Sequence, residues 1–455
     1  MGRWPSTCVI GAGSSGIAAC KVLDEHGLPF DCFEKSDRVG GNWVFGNKNG
    51  MSACYRGLCI NTSKRRMEYS DFPMPDDYPD FPRHDQIADY FESYVDHFGF
   101  RERIRFERAV SKVERRGGAW AVTLEGGETR AYDAVVVANG HHWDPRWPEP
   151  RFPGRFDGVE MHSHAYVDAE PFRGKRVVVL GMGNSAMDIA VESSEVADRT
   201  YLAARRGAWI LPKYFFGRPA DTLPLDPRIP FEARRRAIEL ILKMTVGSPT
   251  DYGLPAPDHR LGAAHPTISG RILERVKEGA VVPKPNLARL EGGEVVFTDG
   301  SRVEADVIVY CTGYKVSLPF FDPALLHAKD NDLALFRRVF HPDHRSLFFV
   351  GLLQPLGAIM PLAEAQSAWI AEYLTGRYAL PGDAELLADI ERERRAVRER
   401  YVASPRHTMQ VDFDDYLLAL ARERRRGAER AAKAGFPLPV PVGPLYSARS
   451  RTLAP

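Results

Sequence analysis

One pattern of apolar and small residues occurs twice along this chain. The apolar run Thr7-Cys8-Val9-Ile10 is followed by the loop Gly11-Ala12-Gly13-Ser14-Ser15-Gly16 and then by Ile17-Ala18-Ala19. Further on, Val177-Val178-Val179-Leu180 is followed by Gly181-Met182-Gly183-Asn184-Ser185-Ala186-Met187-Asp188. A strand, a glycine loop and a helix start, in that order, predict a dinucleotide-binding unit, and the chain holds two of them. Two longer apolar runs, 132–140 and 305–313, each end in a small-residue turn. That is the form of a buried parallel strand whose carboxyl end opens on a ligand crevice. A third such run, 347–351, predicts a strand returning to the first sheet. The expected fold is therefore α/β, with two Rossmann-like domains and the second inserted into the first. The expected segments are 1–168, then 169–314 for the inserted domain, then 315–455 for the rest of the first domain with C-terminal helices.

Outside these units the periodicity changes. Residues 217–253 combine a proline-rich loop with a basic helical run at 232–244, read as an insertion with a solvated helix face. Helical spacing with Glu and Arg four apart runs through 385–432, and a proline-rich end follows at 437–444. The longest apolar stretch, 348–363, is interrupted by Gln354, Pro355 and Pro361 and is too short and broken to span a bilayer. Charge adds an exclusion: 61 Lys plus Arg against 60 Asp plus Glu leave a net charge of +1, which argues against nucleic acid or membrane as partners. The six cysteines form no CxxC pair and no zinc spacing, and no leader precedes the strand at Thr7, so a reduced, cytoplasmic protein is expected.

The loops carry the candidate chemistry. Gly11 allows the tight turn, Gly13 lets backbone N–H groups approach a pyrophosphate, and Gly16 lets the helix pack closely on the strand. The helix start adds partial positive charge. Glu34, about 23 positions beyond Gly11 at the end of the apolar run 30–33, is placed to hold ribose hydroxyls. In the second loop Ala186 takes the third glycine's place. At the matching distance the chain reads Ala204-Arg205-Arg206-Gly207, with no acid. Guanidinium groups there suit a 2′-phosphate, so the second unit should prefer NADPH to NADH, while the first suits flavin adenine dinucleotide (FAD).

Three further blocks narrow the reading. They are Glu34-Lys35, Gly40-Gly41-Asn42-Trp43, and Phe156-Asp157-Gly158-Val159-Glu160-Met161-His162-Ser163-His164-Ala165-Tyr166, which has the pattern FxGxxxHxxx(Y/F) just before the second glycine loop. With the two glycine loops, Arg205-Arg206-Gly207-Ala208-Trp209, Cys311-Thr312-Gly313-Tyr314 and the block at 351–358, they resemble the class B flavin-containing monooxygenases, in the family's order. Departures are Ala186, Cys311 where alanine is usual, and Asn42 where leucine is common. The related Baeyer–Villiger monooxygenases carry Trp at the last fingerprint position, followed by Pro or Asp. Here Tyr166-Val167 points away from ketone oxygenation as the main activity.

The resemblance implies a two-domain architecture like that of glutathione reductase. It implies FAD contacts at Gly11, Gly13, Ser14, Ser15, Gly16, Glu34, Lys35, Gly41, Asn42, Trp43, Asn61, Thr62, Val110 and Gln354. It implies NADPH contacts at Gly181, Gly183, Asn184, Ser185, Ala186, Asp188, Arg205 and Arg206. Asn61, in Asn61-Thr62-Ser63-Lys64, is the implied catalytic residue beside the flavin ring. An uncharged amide there can both donate and accept hydrogen bonds. NADPH would reduce FAD, O2 would be captured as a C4a-hydroperoxyflavin, and the nitrogen or sulfur of a small molecule would take the distal oxygen. A homodimer is a family expectation.

Two other readings compete. Cys54 and Cys59 are spaced as in FAD/NADPH-dependent disulfide reductases. Against that, Cys54 lies about 13 residues past Gly41, where a redox pair should follow the turn directly, and His265-Pro266-Thr267 precedes the close of the second unit. A non-catalytic dinucleotide-binding protein would share the glycine loops but gives no reason for Asn61 and the fingerprint to occur together. His162 and His164 alternate without a third or fourth ligand, so no metal is expected, and His162 is read as ordering the domain connection. His141-His142 are expected in a surface loop.

Overall fold

A computed structural model describes residues 4–223, 229–402, 404 and 407–434; the proline-rich end at 437–444 lies outside the described residues. The chain divides into two units. Unit one draws on Met1–Ser52, Lys64–Asp144 and Lys315–Pro455, and unit two on Ala53–Ser63 and Pro145–Tyr314.

The first unit is built on a five-stranded parallel sheet. Its order is Leu347–Phe349, Ala134–Val137, β1 (Thr7–Ile10), β2 (Phe30–Phe33) and Ile104–Arg105, so the run at 347–351 does return to the first sheet. Every residue of β1, β2 and Ala134–Val137 is buried, which is why these strands read as unbroken apolar runs. Helix α1 (Ser14–Glu25) packs on the long helix Met360–Leu374. A three-stranded antiparallel sheet, Val110–Arg116, Ala119–Leu124 and Thr129–Tyr132, adds Trp120 to the core, its indole N–H donating to Ser346 Oγ at 2.9 Å. The helical spacing at 385–432 resolves into two helices, Asp383–Arg400 and Phe413–Ala434. They are separated where Gln410–Asp412 pairs with Gln354–Leu356. Phe413, Tyr416, Leu420, Gly427 and Ala431 form the buried stripe of the last helix. Gly427 is needed because a Cβ there would lie 1.9 Å from the Tyr378 ring.

The second unit has its own five-stranded parallel sheet, formed by β3 (Val159–His162), β4 (Arg176–Leu180), β5 (Arg199–Ala204), Val281–Pro285 and β6 (Val307–Tyr310). The order is β3-β6-β4-β5-Val281–Pro285. Helix α2 (Asn184–Ser193) follows β4. The unit begins earlier than the boundary expected at 168/169. β3 pairs with β6, and Gly154–Phe156 pairs with Leu287–Gly292, so the fingerprint is an edge strand of the second sheet that happens to precede its glycine loop in the chain. In the insertion, the helix Phe231–Thr245 is not only a solvated face. Leu242 is buried with Phe215 and Leu261 in a small core of its own. Among the described residues no helix is long and apolar enough to cross a membrane.

Candidate functional site

The first cradle forms where β1 turns into α1. Gly11 has φ +100°, and a Cβ there would lie 2.7 Å from the Ala138 carbonyl oxygen. At Gly16 a Cβ would lie 1.8 Å from the Gly11 oxygen, so the helix can sit this close only with glycine. The Gly40 N–H donates to Ala12 O at 3.0 Å, and a Cβ on Gly41 would lie 3.1 Å from Gly13 Cα. The turn carrying Asn42 and Trp43 is thereby held against the glycine loop. α1 starts with no side-chain cap and no acid in its first turn, which leaves its first amides and its dipole to an anion. Ser14 and Ser15 stand at that start, and Gly351 is pressed onto Ser15, where a Cβ would lie 1.9 Å from the hydroxyl oxygen.

Glu34 is 5% exposed and binds the cradle itself. Its Oε2 accepts from the Ala12 N–H and its Oε1 from the Ser36 N–H, each at 2.7 Å. Burial raises its pKa while these hydrogen bonds oppose the rise. Each carboxylate oxygen has a second lone pair, so the group can fasten the loop and still receive ribose hydroxyls. Lys35 next to it is exposed. Asn42 and Trp43 are half-buried on the turn Gly41–Trp43, with the Ser52 hydroxyl donating to Asn42 O at 2.9 Å. Val110 packs its side chain on the apolar core, which leaves its backbone for any cofactor contact. Gln354 Nε2 lies 3.0 Å from His142 Nε2.

The second cradle repeats the design. Gly181 has φ +143°, and a Cβ there would lie 2.6 Å from the Cys311 oxygen, which brings the loop close to the turn after β6. α2 also starts uncapped by any side chain and without an acid in its first turn. Gly183 is its N-cap, Ser185 is half-buried, and Ala186 is fully buried in the unit's core. Asn184 Oδ1 accepts from the Ile268 N–H at 2.9 Å, tying the helix start to a neighbouring loop. Arg205 and Arg206 follow the last residue of β5 and are exposed, with Arg206 Nε 3.3 Å from Asp258 Oδ2. These features suit FAD in the first cradle and NADPH in the second: open helix amides for pyrophosphate, a buried acid after β2, and guanidinium groups after β5. Asp188 differs from the rest of its set, because its carboxylate accepts the Tyr55 hydroxyl.

Asn61 and Thr62 are half-buried in a segment that belongs to the second unit, not to the first as the bound 1–168 had it. Several bonds hold it there. The Arg56 N–H donates to Val167 O at 2.9 Å, and Arg56 Nε donates to Asp168 Oδ2 at 3.1 Å. Lys213 Nζ donates to Ile60 O at 3.1 Å, and the Ser63 N–H to Asp221 Oδ2 at 2.6 Å. The next residue, Lys64, is buried in the first unit and donates to the carbonyls of Pro75 at 3.0 Å and Asp76 at 2.8 Å. Cys54 and Cys59 are not joined in a disulfide, and the segment that carries them, Ala53–Ser63, contains no helix. A disulfide-reductase pair on a flavin-unit helix is therefore not what the chain builds.

The defining side chains of the fingerprint, Phe156, His162 and Tyr166, are buried, while Asp157, Val159 and Glu160 are exposed. A Cβ on Gly158 would lie 2.5 Å from Asp306 O, so β3 follows a tight approach to the strand beside it. His162 is 2% exposed, its Nδ1 accepts from the His164 N–H at 3.0 Å, and its ring lies between Trp147 and Tyr314. Both ring partners lie near the ends of the segment Pro145–Tyr314. Burial pushes the pKa of His162 down to about 4. Tyr166 is also buried and donates its hydroxyl to Glu192 Oε2 at 2.5 Å. Sequence reading missed Tyr55, Glu192 and Lys213. They come from three separate segments, and none carries a local motif.

Two dinucleotide cradles on successive parallel sheets, the second followed by two exposed guanidinium groups, have the form of a nicotinamide-dependent flavoprotein. A family model described as FMO-like, flavin-binding monooxygenase-like, matches residues 6–425, and the chain belongs to this family. It is 36% identical over 435 residues to flavin-containing monooxygenase 5 of Homo sapiens, covering 91% of this chain and 81% of that protein. The structure of S-allyl-L-cysteine S-oxygenase from Allium sativum superimposes with a TM-score of 0.70 at 26% identity, covering 94% of this chain and 92% of that one. Oxidized steroid monooxygenase bound to NADP shares the fold, with a TM-score of 0.69 at 21% identity over 93% of this chain and 98% of that one. The protein is an NADPH-dependent flavin monooxygenase that uses FAD and O2 on a small-molecule substrate.

Proposed function

We propose that the protein oxygenates the nucleophilic nitrogen or sulfur of small amines, thioethers or thiols. The observation that carries this reading is the fingerprint ending in Tyr166, whose hydroxyl is committed to Glu192 at a place where ketone-oxygenating relatives carry tryptophan. The likeness to an S-oxygenase supports it. Bound flavin, once reduced by NADPH, supplies an electrophilic oxygen atom from O2. One oxygen atom enters the substrate, and the other leaves as water, formed with the hydride of NADPH (two electrons and one proton) and a second proton from solvent.

The chain's own residues bind, orient and shield. The first-turn amides of α1 hold the FAD pyrophosphate, and Glu34 holds its ribose while fixing the glycine loop through Ala12. The first-turn amides of α2 hold the NADPH pyrophosphate, with Arg205 and Arg206 on its 2′-phosphate. Asn61 offers a neutral amide that donates and accepts next to the reacting centre and cannot deliver a proton prematurely. A soft nucleophile needs no general acid or base, so no titratable side chain has to meet the substrate.

The test follows NADPH, product and peroxide together, with a tertiary amine, a thioether and a linear ketone offered separately. The expected result is N-oxide or sulfoxide formed in near-stoichiometric yield on NADPH. An ester from the ketone as the principal product, or peroxide accounting for all NADPH consumed, would overturn the reading.

A further inference from the structure

We infer that Asp188 and Tyr55 form a positioning device that sets Asn61 in register with the NADPH cradle, rather than forming part of the nucleotide site. This rests on the role proposed above for Asn61. Asp188 and Glu192 stand four residues apart on α2 and so share one face of it. Each accepts a tyrosine hydroxyl, Asp188 from Tyr55 and Glu192 from Tyr166, and the two tyrosine rings meet edge to face at 5.7 Å. Between them the Asn61 segment lies flush on the helix, since a Cβ on Gly57 would fall 2.1 Å from Glu192 Oε1.

Lys213 closes the arrangement. Its ammonium donates to the carbonyl of Ile60, the residue before Asn61, and attracts the Asp188 carboxylate. Burial raises the pKa of both carboxylates and lowers that of Lys213. Buried polar groups of this kind are costly unless fully bonded, so the segment has one well-defined seat. The ten residues of α2 therefore do two jobs. The amino end faces the nucleotide's pyrophosphate, and the acidic face holds the chain that carries the reactive-site amide. A catalytic amide has to be held to within a fraction of an ångström, which a segment without regular structure cannot do by itself.

The holoenzyme carrying Tyr55→Phe tests this. Its FAD content and its KM for NADPH should stay within about twofold of the parent, while peroxide released per NADPH should rise to the level of Asn61→Ala. The double variant Tyr55→Phe/Asn61→Ala should leak no more than Asn61→Ala alone, because both changes remove one function. Asp188→Asn, whose amide oxygen still accepts from Tyr55, should couple more tightly than Asp188→Leu. Hydrogen exchange gives a readout independent of turnover: in Tyr55→Phe the amides of 57–63 should exchange about tenfold faster while those of 184–193 do not change.

Additive leakage in the double variant, a raised KM for NADPH with coupling intact, or unchanged exchange at 57–63 would each overturn the inference. If Asn61→Ala couples like the parent, the role of Asn61 fails. The exchange result still decides separately whether Tyr55 and Asp188 hold the segment.

Discussion

Replacing His162 by phenylalanine is expected to flatten the pH dependence of stability between about pH 4 and pH 6.5. The imidazole is 2% exposed between Trp147 and Tyr314, and its Nδ1 is already taken by the His164 N–H, so the folded protein holds it neutral. Burial depresses its pKa from 6.5 to about 4. Between those values the unfolded chain binds a proton that the folded chain does not. The stabilisation is therefore complete above the unfolded pKa and is lost as pH falls toward the folded one. Each pKa unit is worth about 1.4 kcal/mol, so moving from about pH 7 to about pH 4.5 should remove about 2.5 kcal/mol through this residue. His341 in the first unit is also pushed down to about 4 by burial and acts over the same window. It is present in both proteins, so it cancels in the difference between them. Urea unfolding followed by tryptophan fluorescence at the two pH values gives the four free energies required. If the variant loses as much stability on acidification as the parent, the burial argument for His162 is wrong.

Gly16→Ala should abolish FAD retention, read as the flavin absorbance of purified protein, because its Cβ has no space beside the Gly11 oxygen. Arg205→Ala with Arg206→Ala should raise KM for NADPH about tenfold or more and leave KM for NADH nearly unchanged; an equal rise for both would remove the 2′-phosphate assignment. Asn61→Ala should keep FAD and raise the share of NADPH electrons released as peroxide. Lys64→Met leaves the carbonyls of Pro75 and Asp76 without their ammonium, and should cost about 2 kcal/mol of unfolding free energy in urea melts.

The repeating strand–glycine–helix units were legible because each is local. Gly11, Gly16 and Gly181 announce backbone approaches that tolerate no Cβ, and buried parallel strands announce themselves as unbroken apolar runs. Glu34 was legible as the acid after the second strand, although its bond to Ala12 was not. The fingerprint was legible as a pattern but not as a structure. Nothing local says that Val159–His162 pairs with a strand lying much later in the chain, so the domain boundary fell on the wrong side of it. The contacts of Tyr55, Glu192 and Lys213 are tertiary, and a tyrosine or lysine alone carries no periodic signal.

The division of Asn61-Thr62-Ser63-Lys64 between the two units matters to anyone who would build hybrid enzymes. A transplant cut at 169 and 314 would leave behind the edge strand of the donor's sheet and the segment that carries Asn61, the amide proposed to act in the reaction. The recipient's own 53–63 would then meet a helix whose acidic face was shaped for another sequence. A coherent transplant takes Ala53–Ser63 together with Pro145–Tyr314, four junctions instead of two. Hybrids made either way should differ first in how much peroxide they waste, before they differ in which nucleotide they accept.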